Sequence, residues 1–467
     1  MTELKVIAEP ARATPVRHEV DVLVVGGGSA GLAAAVAAGR QGASVLLVEQ
    51  NGYLGGTLTM TTVGSVCGLY AVSDDEVTPI IGGIGAELLA RLTALGGARG
   101  PERWLKTASM LYDPVLLRLL ADELVGEAGV EVVLHATAVQ VVRDGARLRG
   151  AIFESAGGRW AALAPVVIDC TGDGDIMALS GAAFEYREGE VQAPTAMFQF
   201  GGVDTERAMR IDREELHRYL EAAVSAGLAL PRTAGGMFSL YPGFAHINIT
   251  RVNGVGGVLD PLDTAGLTAI EMEGRRQVQL YLEAFRRFVP GFEQSYVAAI
   301  GGHIGVRESR RLIGIYRLEL DDVLGGARFA DAVACGAWPV EDHGGGRGTR
   351  WVFLPPGTYY QMPYRMLLPE AVDGLLVAGR CASASHDAHA SMRVAGICFA
   401  LGEAAGVAAA QAVTSSVLPR AIDIARLQSQ LLAQGAFLGE GFGAGAPQAP
   451  VPASMTTPAH NREGEVS

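Results

Sequence analysis

The run Ser383-Ala-Ser-His-Asp-Ala-His-Ala390 carries two histidines, His386 and His389, three positions apart, a spacing that places both on one face of a helix. An imidazole titrates near neutrality, so it suits proton transfer. Zinc would need further ligands at matching geometry. Asp173 and Asp175 form a second pair of candidate ligands, again without company. We therefore expect no metal. Upstream, Gly305-Val-Arg-Glu-Ser-Arg-Arg311 gathers Arg307, Arg310 and Arg311 around Glu308. Such a cluster can clamp a carboxylate or a phosphate, or close a helix end with salt bridges. Arg393 adds a cation just past the histidines.

A second set of residues binds rather than reacts. Val22-Leu-Val-Val-Gly-Gly-Gly-Ser-Ala-Gly31 is an apolar strand running into a glycine turn, and Val45-Leu-Leu-Val-Glu49 is a second strand ending in an acid. Gly26, Gly28 and Gly31 fill the three glycine positions of the dinucleotide fingerprint. They serve the tight turn, the approach of a pyrophosphate and the packing of helix on sheet. Ser29 and Ala30 open the helix, whose N-terminus offers N–H groups to phosphate. Glu49 stands where a carboxylate accepts the ribose hydroxyls.

These residues need a scaffold, and 467 residues with 49% hydrophobic and 19% charged side chains can bury one of more than one unit. A net charge of −13 argues against nucleic-acid or anionic-membrane binding through a basic surface. No apolar run suggests a membrane span, and the first 18 residues lack a signal core. The five cysteines form no Cys-x-x-Cys, so reduced thiols in a cytoplasmic protein are expected. Residues 1–18 read as a flexible tail. Residues 19–185 and 351–435 read as one discontinuous α/β domain, doubly wound and Rossmann-like. Residues 186–350, with charged helices at 213–227 and 267–288, read as an inserted α+β substrate domain. Residues 440–467, rich in Gly, Pro, Ala and Ser, read as a disordered tail. Between them, 114–126 has the apolar spacing of an amphipathic helix. Residues 149–153 and 160–163 read as a hairpin around Gly157-Gly158. Gly82-Gly-Ile-Gly85 resembles a second nucleotide turn, but Glu87 replaces its last glycine and no ribose acid strand follows.

The order of these segments resembles the two-dinucleotide-binding-fold flavoproteins. Within them it is similar to the FAD-dependent oxidoreductase family related to fumarate-reductase-like flavoproteins and putative dehydrogenases. The resemblance rests on Val22–Gly31 with Glu49, Tyr53-Leu-Gly-Gly-Thr57, Val167-Ile-Asp-Cys-Thr-Gly-Asp-Gly-Asp175, Gly305–Arg311, Leu375-Leu-Val-Ala-Gly-Arg380 and Ser383–Gly406. It implies noncovalent FAD. Gly55, Gly56 and Thr57 would approach the flavin side, Val139 would offer backbone to adenine, and Thr171 and Gly172 would lie near adenosine. Gly379 and Arg380 would reach the pyrophosphate, and the helix at Gly396 and Ile397 would face the flavin pyrimidine. A position between the Gly-Arg strand and the following helix makes His386 the candidate proton acceptor, with Arg310 and Arg393 as candidates to hold substrate or flavin; Cys67 and His303 are candidate points of covalent attachment that nothing in the sequence selects. The implied reaction is hydride transfer from a small organic substrate to flavin N5 by a dehydrogenase or oxidase, in a chain that could be a homodimer. The alternatives are an NAD(P)H-dependent flavin monooxygenase and a non-catalytic FAD-binding protein. The electron acceptor stays open.

Overall fold

The structure is a computed structural model, and it describes residues 6–254, 259–344 and 348–440. The first half builds β1 (Val22–Val25), α1 (Ser29–Arg40), β2 (Val45–Val48), α2 (Gly83–Ala94), α3 (Pro114–Glu127) and β3 (Glu131–Val133). It continues with β4 (Thr137–Asp144), β5 (Arg147–Ser155), β6 (Gly158–Leu163) and β7 (Val166–Asp169). The middle adds β8 (Phe198–Gly201), α4 (Arg213–Ser225), β9 (Gly236–Phe238), β10 (Phe244–Asn248), α5 (Thr264–Phe288) and β11 (Tyr296–Ile300). The chain then returns through β12 (Leu375–Val377), α6 (His386–Met392) and α7 (Ala395–Thr414).

The central sheet has the order β12-β7-β1-β2-β3, and every pairing is parallel. Its inner strands are buried at each position, and apolar at all but Asp169, because both faces are covered. Val22 and Val24 face the helices α1 and α7, while Leu23 and Val25 face Phe153 and Trp160 of the antiparallel β4–β5–β6 layer. Those two rings stack with centroids 4.7 Å apart. One face of the Rossmann-like α/β sheet is thus covered by helices and the other by strands. The 114–126 helix forms as expected, with Asp113 capping it by accepting from Val115 N at 2.7 Å.

The helix layer depends on close approach. A Cβ on Gly402 would lie 2.0 Å from the Ala30 carbonyl oxygen, and one on Gly406 would lie 2.2 Å from that of Ala34. Only glycine lets α7 lie on α1 this closely. At 20 residues α7 is long and apolar enough to cross a membrane, which the reading of the sequence overlooked. Here 89% of its most apolar window is buried inside the protein.

A second apolar cluster lies between the sheet β9-β10-β8-β11 and α5. Phe198, Phe200, Tyr281, Phe285 and Phe292 fill it. Its buried members run from Val191 to Ile304, whereas Leu318, Val323, Trp338 and Val340 pack into the first core. We therefore propose to end the inserted unit near residue 305 rather than 350. The expected flexible tail also needs correction. Val16–Glu19 is a strand paired in parallel with β6, since it can satisfy an otherwise open sheet edge. The C-terminal tail from 441 onward lies outside the described residues.

Candidate functional site

Gly26 ends β1 with φ +96°, and a Cβ there would strike the Cys170 carbonyl oxygen at 2.5 Å. A Cβ on Gly31 would lie 1.7 Å from the Gly26 carbonyl oxygen, so this glycine seats the helix on the turn. Gly28 differs from both. Its nearest neighbour to an added Cβ is the Gly56 Cα at 3.8 Å, and its open side faces a cavity of about 1120 Å³. Glu49 is buried. It accepts from Gly27 N at 2.7 Å and from Asn51 N and Nδ2 at 2.8 and 2.7 Å, which fixes the acid beside the turn.

One cavity collects most of the sequence-derived residues. Gly26, Gly28, Ser29, Ala30, Glu49, Gly56, Thr57, Thr171, Gly172, Gly379 and Arg380 line it, as do Arg310 and Arg393. Its volume exceeds the roughly 300–1,000 Å³ of an ordinary ligand pocket, as a long dinucleotide plus a substrate requires. The bare side of Gly28, the α1 N-terminus with no side-chain cap and the buried Glu49 carboxylate together fit the diphosphate and ribose of FAD.

Beside the turn, Arg380 donates to Asp173 Oδ1 at 2.7 Å and to Ser309 Oγ at 3.1 Å. Burial works to raise the Asp173 carboxyl, but Arg380 and Ser309 outweigh it and hold it below its ordinary value. Arg310 donates to Asp173 O at 3.1 Å and to Asp175 Oδ1 at 3.0 Å. The two acids suggested as metal ligands are therefore partners of arginines. Asp169 supports this corner from below: it is fully buried and accepts from Thr171 Oγ1 at 2.7 Å and Met177 N at 2.8 Å.

Several expected residues do not line the cavity. Gly31 acts in helix packing, and Gly55, at φ +105°, shapes the backbone before a short 3-10 helix. Thr137 and Ala138 reach the cavity in place of Val139. Val394, Ala395 and Cys398 reach it in place of Gly396 and Ile397. Gly396 N donates to Cys67 O at 3.0 Å, so this N–H is already committed. Cys67 and His303 are both at the cavity wall.

The largest correction concerns His386. It does not line the cavity. Nδ1 lies 2.9 Å from Glu308 Oε1 and Nε2 lies 3.4 Å from Asp342 Oδ1. Hydrogen bonding to Asp342 and Glu308 pushes its pKa up to about 10, so the ring is an imidazolium with both nitrogens engaged and cannot accept a substrate proton. His389 diverges from it, buried with Nε2 2.9 Å from Arg380 O. Asp342, His386 and Asp387 do converge as a cluster of metal-ligand type, but Arg350 already sits on both carboxylates.

The inner end of the cavity holds residues that the sequence reading missed: Arg232, Glu341, His343, Thr349 and Trp338, beside Arg307 and Arg393. Glu341 accepts from Trp338 Nε1 at 3.0 Å, and His343 Nε2 lies 2.9 Å from its other oxygen. His343 Nδ1 lies 3.2 Å from Thr349 Oγ1. Burial opposes the Glu341 charge, yet His343 and the arginines hold its pKa down to about 2. Burial, and then Arg307, lower His343 to about 3, so its ring is neutral. Trp338, Glu341, His343 and Thr349 share one stretch of chain whose spacing matches no familiar motif, and only folding brings Arg232, Arg307 and Arg393 to it.

The second glycine turn is filled from within. A Cβ on Gly83 would lie 2.1 Å from Glu403 Oε2, which accepts from Ile84 N at 3.0 Å. The start of α2, where a second phosphate would bind, thus holds a carboxylate of α7.

Fold and cavity together define a flavin-dinucleotide protein of the Rossmann-like α/β class. The chain belongs to the FAD dependent oxidoreductase family, whose model matches residues 21–431. Among solved structures it is similar to a geranylgeranyl bacteriochlorophyll reductase-like protein from Thermoplasma acidophilum, with 17% identity, 90% of this chain and 84% of that chain covered, and TM-score 0.43. It is also similar to an anhydrotetracycline hydroxylase from Streptomyces rimosus, with 12% identity, 89% and 66% covered, and TM-score 0.42. A p-nitrophenol 4-monooxygenase from Pseudomonas putida shares 13% identity, with 85% and 79% covered and TM-score 0.39. We draw nothing about chemistry from likenesses at this level.

Proposed function

We propose that this FAD-dependent oxidoreductase dehydrogenates a small organic substrate at a CH–CH, CH–OH or CH–NH unit. The observation that carries the reading is the continuity of one cavity from the Gly26–Gly31 turn to the His343–Glu341 pair. FAD, when bound, supplies the acceptor for the hydride. The proton is the task of the protein. Glu341 orients His343 through Nε2, and Nδ1 accepts from the Thr349 hydroxyl, so a substrate proton reaches the ring when a substrate group takes the place of that hydroxyl. The ring is neutral, as a base must be before it acts, but burial and Arg307 lower its proton affinity, so it becomes an effective acceptor only when a bound anion offsets that positive charge. Arg393 donates to Gln192 Oε1 and Glu341 O, both at 3.1 Å, and so fixes the wall opposite the substrate.

The test is anaerobic. Purified yellow protein is mixed with a panel of reduced organic substrates, and bleaching of the flavin band is followed. We expect at least one to bleach it, and His343→Gln to slow that step by roughly 100-fold or more with no loss of colour, the usual weight of general-base catalysis. Bleaching by NADPH alone would replace this reading with a monooxygenase. A yellow protein that no donor reduces would make the flavin structural.

A further inference from the structure

Resting on the reading above, we propose that the inner end of the cavity is a receptor for the carboxylate group of an organic acid with an apolar body. Arg232, Arg307 and Arg393 all line this end, and among the described residues none forms an ion pair with a carboxylate. For Arg232, no hydrogen bond from the guanidinium is present either among the described residues. Arg307 spends one nitrogen on Ala193 O and Thr195 Oγ1. The Arg393 Nε is buried without a partner. The nearby acid, Glu341, is committed to Trp338 and His343.

The three guanidiniums are half-buried, and Glu341 offsets part of their charge through space; cations in excess of their counter-charges favour a ligand that supplies one. These cations also repel: after burial, the largest influence lowering Arg307 is Arg393, with Arg232 contributing. A guanidinium fork meets a carboxylate through two parallel hydrogen bonds. The same end is walled by Trp338, which donates to Glu341, and by Trp351 beside it. Trp351 lies against Trp338 and Trp104 at centroid distances of 6.5 and 5.5 Å, which suits an apolar body.

The diphosphate of the cofactor is not the anion in question. It belongs to the Gly28 turn, where Arg380 and Arg310 stand with Asp173. The three inner arginines instead touch the inserted unit: Arg307 bonds at 193–195, and the Arg232 backbone meets Tyr281 of α5 at 3.2 Å.

The experiment titrates the flavin-loaded protein with benzoate, 3-phenylpropionate, their neutral amides and inorganic phosphate, read by calorimetry and by shifts of the flavin band. We expect a carboxylate to bind at least about 10-fold more tightly than its amide, the scale of one charged hydrogen bond. Arg232→Gln, which breaks no hydrogen bond of the fold, should erase that preference while leaving amide affinity and flavin content unchanged. Arg307→Lys is the second variant and should weaken carboxylate binding with flavin retained. Equal binding of acid and amide, binding of phosphate alone, binding of no probe or an unaltered Arg232→Gln protein would each overturn the receptor. Failure of the oxidoreductase reading shows separately, as a flavin that no donor bleaches while calorimetry still records carboxylate binding.

Discussion

At the scale of single residues, Gly28 tests the cofactor cradle without disturbing the core, and Glu49 tests it together with the turn that its carboxylate braces. Gly28 faces open cavity, so Gly28→Val puts its bulk where the diphosphate would lie and not into the protein. We expect folded but colourless protein, checked by circular dichroism and the flavin absorbance per chain. Glu49→Ala should weaken FAD binding by roughly 1–3 kcal/mol, the cost of losing a charged hydrogen bond. Flavin content equal to the parent in both variants would show the cradle to be misplaced. His386 makes the opposite prediction to the one its sequence context invites. Because Asp342 and Glu308 raise its folded pKa to about 10, its stabilising contribution is full below the unfolded value near 6.5. It fades as pH rises through about 10. His386→Gln should therefore lower the melting temperature at pH 6 and converge on the parent above pH 10, with the reductive half-reaction retained. A stability gap that does not change with pH would refute the imidazolium.

At the scale of elements, α7 does two jobs with few residues. Gly402 and Gly406 allow it onto α1, and Glu403 turns the other way to cap α2. Burial raises Glu403 to about 7, with the Ile84 N–H pulling it down. Its unfolded value is near 4.5, so between these limits the folded chain holds the extra proton, and stability falls as pH rises from about 4.5 to 7. Glu403→Gln should remove that slope. Chemical denaturation at pH 5, 6 and 7 should show the variant gaining on the parent at each step, by no more than about 1.4 kcal/mol per pH unit. Parallel curves would mean that Glu403 is charged throughout. The filled α2 start gives the glycines of the nucleotide-like turn Gly82–Gly85 another use: they admit a side chain of the same protein.

At the scale of the whole molecule, what the sequence made legible was what local chemistry decides. Strands buried on both faces read as unbroken apolar runs, and the glycine turn read correctly because strand, helix and acid follow each other within one βαβ unit. Val16–Glu19 did not read as a strand, since its partner β6 lies far along the chain. His386 misled for the same reason, its partners being Glu308 and Asp342. Of the inner cavity only Arg307 and Arg393 stood out in the sequence, and their meeting with Arg232 and Glu341 did not. Arg232, Arg307, Glu341 and Arg393 come from separate segments and share no period that a sequence could display.

The glycine-mediated seam between α7 and α1 has a mechanical result. One end of α1 carries the turn at Gly28, and the start of α7 reaches the same cavity at Val394 and Ala395. Sliding one helix along the other would drive backbone into backbone at Ala30 and Ala34. The seam thus acts as a clamp on the cofactor cradle, and we propose that any breathing that admits a substrate falls to the crossings at 186–196 and 301–310. Deuterium uptake should be slow along both clamped helices and faster at those two crossings.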